Sequence, residues 1–376
     1  MPPKRSQPQR PNSSAQRQLA QKHRQQQQQE QQQLPPAELP ADDEYARVLL
    51  AQNRLLLGPT TQPPADSAAL APQQALLAVV ADAFADTISR EDLPHQLRQI
   101  KDLFLQRDFT TLFTSAALLP VYAAEYIPGR ALCYRDIFLR IAPLRDVLRA
   151  GGRIVCLGAG NGAEILGIAS ALHGMRPDAS PLAVHAQDLS SYGDVVPSLV
   201  ASIRKTLGLG ETDLVVETSV ADLLDRRAVA ESVAPLVAAA SLVTAAFVLN
   251  ELLATSKSGF AALVSSLLTS LAPGSLLLVI DSAGSFSEVT LGGSSGGAAA
   301  ATPSGADAAS AQASAELQSQ SRAAARTYMA FDLLDAIKAL RVVESYDAIW
   351  YRFDKRLTFP LKLNNMRYFL RLYQKI

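Results

Sequence analysis

R-I-V-C-L-G-A-G-N-G-A-E, residues 153–164, decides the fold. Residues 154–157 form an apolar run with no polar face, the pattern of a strand buried on both sides of a parallel sheet. Gly158, Gly160 and Gly162 follow at alternate positions, and a helix-compatible run extends over 164–172. A strand that breaks into glycines and restarts as a helix presents free backbone N–H groups, with no Cβ in the way, at a helix N-terminus. That arrangement is a cofactor site.

Spacing narrows the choice of cofactor. A dinucleotide fingerprint places its third glycine three residues after the second, where this chain has Ala163. The G-x-G-x-G spacing followed by Ala163 and Glu164 resembles motif I of class I S-adenosylmethionine-dependent methyltransferases. For the motif alone, a glycine-rich turn of any α/β protein stands as the plainer alternative.

Downstream, strand and helix patterns alternate. Strands are expected at 182–187, 214–218, 241–249 and 275–280, and helices at 195–207, 232–240 and 260–271. This is a doubly wound βαβ succession, which places ligands at the carboxyl ends of its strands. A helix at 326–340 and strands at 342–351 and 366–373 follow, the last two closing the sheet as an antiparallel pair. Upstream, Leu76, Val79, Val80, Ala83 and Phe84 share one helical face, and Ile100, Leu103 and Phe104 share the next. Pro94, Pro120, Pro128 and Pro143 punctuate these helices.

The expected organisation is a disordered basic, Gln-rich tail with a Pro-rich linker at 1–65, including one short helix at 42–57. A helical subdomain at 66–150 and a catalytic domain at 151–376 follow, the latter with a flexible Gly/Ala/Ser insertion at 291–322. The fold class is α/β, a Rossmann-like doubly wound sheet of the class I methyltransferase kind with a helical N-terminal cap.

Of the 376 residues 48% are hydrophobic, enough for a sizeable core, and 35 Lys+Arg balance 35 Asp+Glu. That balance excludes a uniformly basic nucleic-acid coat but not local basic patches. The two cysteines, Cys133 and Cys156, have no metal-ligand spacing, so no metal is expected and a reducing intracellular compartment is. The run at 234–254 contains Asn250 and Glu251 and reads as a helix end feeding a buried strand, so no membrane span is expected.

Polar residues end each strand. Asp188 stands where a carboxylate accepts the ribose hydroxyls of an adenosine cofactor. Asp222 stands where the adenine amino group is held, with a helix cap as its competing role. Glu164 opens the motif helix and either orients the cofactor or complements the helix dipole. Asn250, Glu251 and Asp281 close strands four and five, and they are the catalytic candidates, Asn250 also a cofactor-binding one, because unpaired polar groups in so apolar a setting would cost roughly 1–3 kcal/mol each. No Ser/His/Asp or Cys/His arrangement presents itself, and His23, His95, His173 and His185 are scattered.

Particular phrases point to a family. Lys101-Asp102-Leu103-Phe104, Arg107-Asp108-Phe109, the segment Tyr126-Ile127-Pro128-Gly129-Arg130-Ala131-Leu132-Cys133-Tyr134, Asn250-Glu251-Leu252, Asp281-Ser282-Ala283-Gly284-Ser285, Trp350-Tyr351-Arg352 and Asn365-Met366-Arg367-Tyr368 occur in that order. With them the chain resembles the fungal and plant methyltransferase family that includes the large-subunit (25S) rRNA uridine-N3 methyltransferase of yeast. Ile127 and Gly129 depart from the Trp and Ser of that family, and the insertion is long here. The resemblance implies S-adenosylmethionine as cofactor, large-subunit rRNA or a pre-ribosomal particle as partner, N3 of a uridine as acceptor, and a nuclear, nucleolar or cytoplasmic location. Arg130, Tyr134, Arg352, Lys355, Arg356 and Arg367 are the RNA-binding candidates, the last four alternating with aromatics whose other reading is the inner face of the final strands. The alternatives are a noncatalytic ribosome-assembly factor that keeps the fold and an NAD-dependent oxidoreductase.

Overall fold

The computed structural model describes residues 60–61, 70–106, 108–175, 179–283, 289–291 and 326–376. The expectations for 1–57, for the turn at 284–288 and for the Gly/Ala/Ser insertion lie outside these residues. One compact unit runs from Gly58 to Ile376.

Among the described residues six helices precede the motif: α1 (Leu70–Ala83), α2 (Ala85–Ile88), α3 (Leu93–Gln106), α4 (Phe109–Thr114), α5 (Leu119–Arg140) and α6 (Ala142–Ala150). The alternating half follows as β2 (Gly152–Leu157), α7 (Ala163–Gly174), β3 (Leu182–Asp188), α8 (Val195–Leu207) and β4 (Leu214–Val220). A helix with a π turn at Val229–Val233 between Arg226–Ala228 and Ala234–Ala238, here α9, leads to β5 (Leu242–Ala246), α10 (Leu249–Thr255), α11 (Lys257–Ser270) and β6 (Leu276–Ser282). The short strands β7 (Val289–Leu291) and β8 (Arg326–Tyr328), then α12 (Ala330–Asp335), β9 (Leu340–Tyr351) and β10 (Met366–Lys375), complete the order.

Strands line up as β4-β3-β2-β5-β6-β10-β9, and the two-residue β1 (Thr60–Thr61) pairs parallel to β9 at the edge. Strands β2 to β6 are parallel, while β10 runs antiparallel to both β6 and β9. The final pair is therefore antiparallel as expected, with the last strand inserted inside the sheet. Both faces are covered. Ile154, Cys156, Leu278 and Leu370 face the side of α5 and α7, whereas Val155, Leu157, Val279 and Phe369 face the side of α9, α11 and α12. This period of two on two buried faces explains why the strands read as continuous apolar runs.

Three expectations need correction. Strand four ends at Ala246 rather than at 249, because Phe247 takes φ 58° and turns the chain, so Asn250 and Glu251 sit in the first turn of α10. The helix expected over 326–340 is only α12. The Asp332 carboxylate accepts the Met329 N–H at 2.8 Å and the Asn250 amide oxygen accepts the Ala330 N–H at 3.0 Å, which fixes the helix start. Pro128 lies inside α5 without ending it. It forfeits one N–H bond, and the following Gly129 has the Asn364 carbonyl oxygen 2.9 Å from where its Cβ would be.

Helix α7 has ten buried residues, all apolar or small except Glu164, because it is sandwiched between the sheet and α5. The helices before β2 thus share one core with the sheet. Gly167 is the contact point: an added Cβ would lie 2.7 Å from the Tyr134 Cβ and 3.1 Å from the Ala131 carbonyl oxygen. Gly167→Ala should push α5 off α7 and destabilise the protein by about 1–3 kcal/mol, an overpacking cost. Urea unfolding checks this, and an unchanged midpoint would count against the close packing.

Candidate cofactor and active site

Neighbours of β2 lie on opposite sides of it, β3 reached by the first crossover and β5 only after the chain has returned from β4. The crevice at this reversal, above the carboxyl ends of the strands, is where open α/β sheets bind ligands. The glycine loop fills its floor. Gly158, Gly160 and Gly162 have φ of 64°, 54° and 86°, a region that L side chains rarely adopt. At Gly158 a Cβ would come within 2.6 Å of the Val248 Cγ2, so the first glycine is required by space as well as by conformation.

Asp188, at the end of β3, ties this loop down. Its Oδ2 accepts the Gly160 N–H at 2.8 Å and its Oδ1 accepts the Ser190 N–H at 3.2 Å. Burial raises its pKa, against the lowering effect of these backbone donors. A cavity of about 190 Å³ opens beside it, lined by Gly160, Asp188, Ser190, Tyr192, Val196 and residues 218–220 among others. Val220, which lines the cavity, and Leu189, next to Asp188 in the chain, are apolar side chains 57% and 62% exposed. The buried Asn161 amide Nδ2 at the loop has no hydrogen-bond partner among the described residues. A carboxylate, apolar flanks and a glycine cradle fit an adenosine with a charged tail.

The other cofactor candidates are placed differently. Asp222 is exposed, two residues beyond the cavity wall, and its Oδ1 accepts the Leu224 N–H at 2.8 Å, the turn-capping role set against its ligand role. The helix cap itself is Asp225, which accepts from the Arg227 and Ala228 N–H groups. Glu164 lies beneath the loop at 4% exposure, with its Oε1 accepting the Thr244 hydroxyl at 2.7 Å. Burial raises its pKa to about 8, although the Thr244 bond and the Arg130 charge act in the opposite direction.

At the β5 and β6 ends, Asp281 is buried and accepts the Asn250 N–H at 3.1 Å and the Ser282 N–H at 2.7 Å. Burial raises its pKa to about 6. Asn250 is itself buried, bridging β6 and α12 through its backbone N–H and its side-chain oxygen, so its side chain acts as a clamp. Glu251 is half-buried, and burial, then the charges of Asp281 and Asp188, raise its pKa to about 7. Of the three catalytic candidates it alone is only half-buried, whereas the side chains of Asp281 and Asn250 are buried and hydrogen-bonded.

The RNA-binding candidates separate. Tyr134 is 2% exposed against Gly167 and offers no face to a base, a correction that follows from the all-round burial of α7. Arg130 lies among Tyr122, Tyr126 and Phe247. Arg352 is exposed and stacks over Trp350, Lys355 is exposed, Arg356 forms a fork with Asp354, and Arg367 is half-buried. Tyr351 on β9 and Tyr368, Phe369 and Tyr373 on β10 are core residues, packed in the two apolar clusters that cover the faces of the sheet. Thr244, Tyr192 and Phe247 were not singled out from sequence. Tyr192 and Phe247 are the two non-glycine residues with positive φ among those described, and only the turn-like Ser190-Ser191-Tyr192-Gly193 gave a hint of either.

Two outcomes are expected. Asp188→Ala should weaken binding of an adenosine cofactor by about 1.5–3 kcal/mol, the range for hydrogen bonds to a charged group, and calorimetric titration reads it. Glu164, with a pKa raised from 4.5 to about 8, retains a proton in the folded state that the unfolded chain releases. Its contribution to stability is therefore present at low pH and lost as pH rises through that window. Glu164→Gln should flatten the decline in unfolding free energy between pH 5 and 8, to be measured in denaturant titrations.

Comparison with known proteins agrees with this geometry. Residues 80–374 match the family described as "Putative SAM-dependent methyltransferase". Over 322 residues, 76% of this chain and 79% of the relative, the chain is 23% identical to the 25S rRNA (uridine(2843)-N(3))-methyltransferase of Saccharomyces cerevisiae. Among solved structures it is similar to magnesium protoporphyrin IX methyltransferase from Synechocystis PCC 6803 with bound SAM, at 11% identity and TM-score 0.38 over 73% of this chain and 97% of that one. The N-methyltransferase NodS from Bradyrhizobium japonicum WM9, in complex with S-adenosyl-l-homocysteine, gives 14% identity and TM-score 0.33 over 68% and 96%. No helix among the described residues is long and apolar enough to cross a membrane. With the match spanning most of its length and the glycine cradle in place, the chain belongs to this family of S-adenosylmethionine-dependent methyltransferases.

Proposed function

We propose that the protein methylates N3 of a uridine in large-subunit (25S) rRNA, inside the cell in the nucleolus or cytoplasm. The observation that carries this reading is the match to the yeast uridine-N3 enzyme along 76% of the chain. S-adenosylmethionine supplies a methyl group on a positively charged sulfur, an activated donor whose leaving group departs neutral. The glycine loop, which keeps Cβ atoms out of the way, and Asp188 position the adenosine end, with Asp188 the acceptor for ribose hydroxyls.

The acceptor nitrogen carries a proton that has to leave. Glu251 is the side chain suited to take it, half-buried at the β5 end with a pKa raised to about 7, so that it is a base of matched strength near neutrality. Asp281 is the less suited candidate, since two backbone N–H groups already occupy its oxygens. N3 of a paired uridine is engaged with adenine, so the base has to be unpaired or extruded to reach the crevice. Arg352 and Lys355, both exposed in the segment between β9 and β10, are the candidates to hold the RNA backbone there.

Mass spectrometry of rRNA nucleosides tests the reading. Cells lacking the protein should lose 3-methyluridine from large-subunit rRNA, wild-type protein should restore it, and Glu251→Gln should restore little, since a positioned base contributes about 10²–10⁴-fold. The purified enzyme should gain rate as pH rises through about 7. Unchanged 3-methyluridine in the deletion would refute the substrate, and a flat pH profile would refute the base.

A further inference from the structure

The position of Arg130 calls for an anionic ligand. It lies on α5 just after Pro128 and Gly129, where its Nη1 donates to the Tyr122 hydroxyl at 2.8 Å. Its guanidinium carbon is 5.1 Å from the centre of the Phe247 ring, 5.5 Å from that of Tyr126 and 5.6 Å from that of Tyr122. Among the described residues no carboxylate is within ion-pair distance of it, in contrast to Arg140 and Arg356, which each have one, and Arg371, which has two. Ring faces attract a cation, but by only about 0.5–2 kcal/mol each, and a desolvated charge needs a partner.

The surroundings fix where this cation stands relative to the cofactor cradle. From Tyr122 the rings continue to Phe113 at 5.4 Å and from Phe113 to Tyr192 at 6.3 Å. The Tyr192 hydroxyl is 3.3 Å from the Cβ position that Gly160 leaves empty. An aromatic roof thus spans the glycine loop from the adenosine cavity on the β3 and β4 side to Phe247 on the β5 side. Both ends of that roof, Tyr192 and Phe247, have positive φ, a backbone cost of the kind that gathers at ligand sites. Phe247, against whose ring the guanidinium lies, follows directly on β5, which places the Arg130 charge over the far side of the crevice.

A cofactor whose adenosine occupies the cavity beside Asp188 and whose sulfur crosses the glycines must extend its amino-acid end toward β5. That end carries a carboxylate. We propose that Arg130, held by Tyr122 and backed by Phe247 and Tyr126, is the subsite for the α-carboxylate of the cofactor's methionine part, and is not an RNA contact. The assignment rests on the cofactor alone, and an enzyme methylating some other acceptor would retain it.

The test compares two ligands on the full chain by calorimetry: S-adenosylhomocysteine, and 5′-methylthioadenosine, which keeps the adenosine and sulfur but lacks the carboxylate. Arg130→Met should lower affinity for S-adenosylhomocysteine roughly 10- to 100-fold, the loss of a charged hydrogen-bonded pair, and leave that for 5′-methylthioadenosine unchanged. Tyr122→Phe, a conservative change that keeps the ring, should give the same selectivity with a smaller loss, and it serves as the test if Arg130→Met does not fold. Equal losses for both ligands, or no loss for either, would overturn the proposal. The selective loss expected for Arg130→Met together with intact 3-methyluridine in the deletion strain would sink only the uridine reading.

Discussion

Everything at the catalytic end of the molecule depends on one hydrogen bond, from the Gly160 N–H to the Asp188 carboxylate at 2.8 Å. A loop with three glycines in left-handed conformations loses more entropy on ordering than any other stretch of its length. Left alone it would sample many shapes. The bond from the neighbouring strand, together with the Ala159 N–H donated to the Gln187 carbonyl at 3.1 Å, fixes the loop against β3. Because β3 is locked in register with β2 along its whole length, from Gly152–Leu182 to Leu157–Gln187, loop and carboxylate cannot drift apart. The cradle and its anchoring carboxylate are thus set by sheet register before any ligand arrives.

How much of this could be read from sequence varies with what each residue is asked to do. The βαβ rhythm from β2 to β6 was legible because parallel strands covered on both faces are apolar without interruption, and because α7 ends at Gly174, α8 at Gly208 and α11 shortly before Pro273-Gly274. Helix α8 was expected at 195–207 and spans Val195–Leu207. The glycines and Asp188 were legible for a related reason: side-chain absence and a carboxylate at a strand end are both written in residue type. The failures come where conformation contradicts type. Phe247 carries a bulky side chain in a left-handed backbone, so the apolar run through Val248 and Leu249 continued as strand in the pattern while the chain had already turned into α10.

Burial by tertiary context accounts for the other differences. Tyr134 and the aromatics of β10 look exposed next to their arginines in a one-dimensional pattern. In the fold, α5 lies over α7 and β10 is inserted between β6 and β9, which takes their rings into the core. Arg371 shows the same effect in a charged residue, buried at 5% exposure, with Asp335 and Asp347 as ion-pair partners and the Phe331 ring 4.3 Å away. What looked like a basic strip is in part a network that lets an inner strand end in cations.

The acidic residues around the crevice set a limit on how the site handles charge. Glu164, Asp188, Glu251 and Asp281 all have raised pKa values, burial being the first cause in each. Four ionised carboxylates there would bind a sulfonium strongly, yet stabilising a positive charge that disappears during methyl transfer would slow the transfer, since only interactions stronger in the transition state accelerate it. The protein damps that field. Glu164 is held with a pKa near 8 and is mostly neutral at pH 7. Asp281 is compensated by two backbone N–H groups and by the charge of Arg130. Asp188 is partly offset by the N–H groups of Gly160 and Ser190. Glu251, with fewer restraints and a pKa of about 7, is left as the carboxylate whose charge changes in the working pH range. With Glu251 as the proposed base, a site arranged in this way supplies one proton acceptor without trapping the cation it works on.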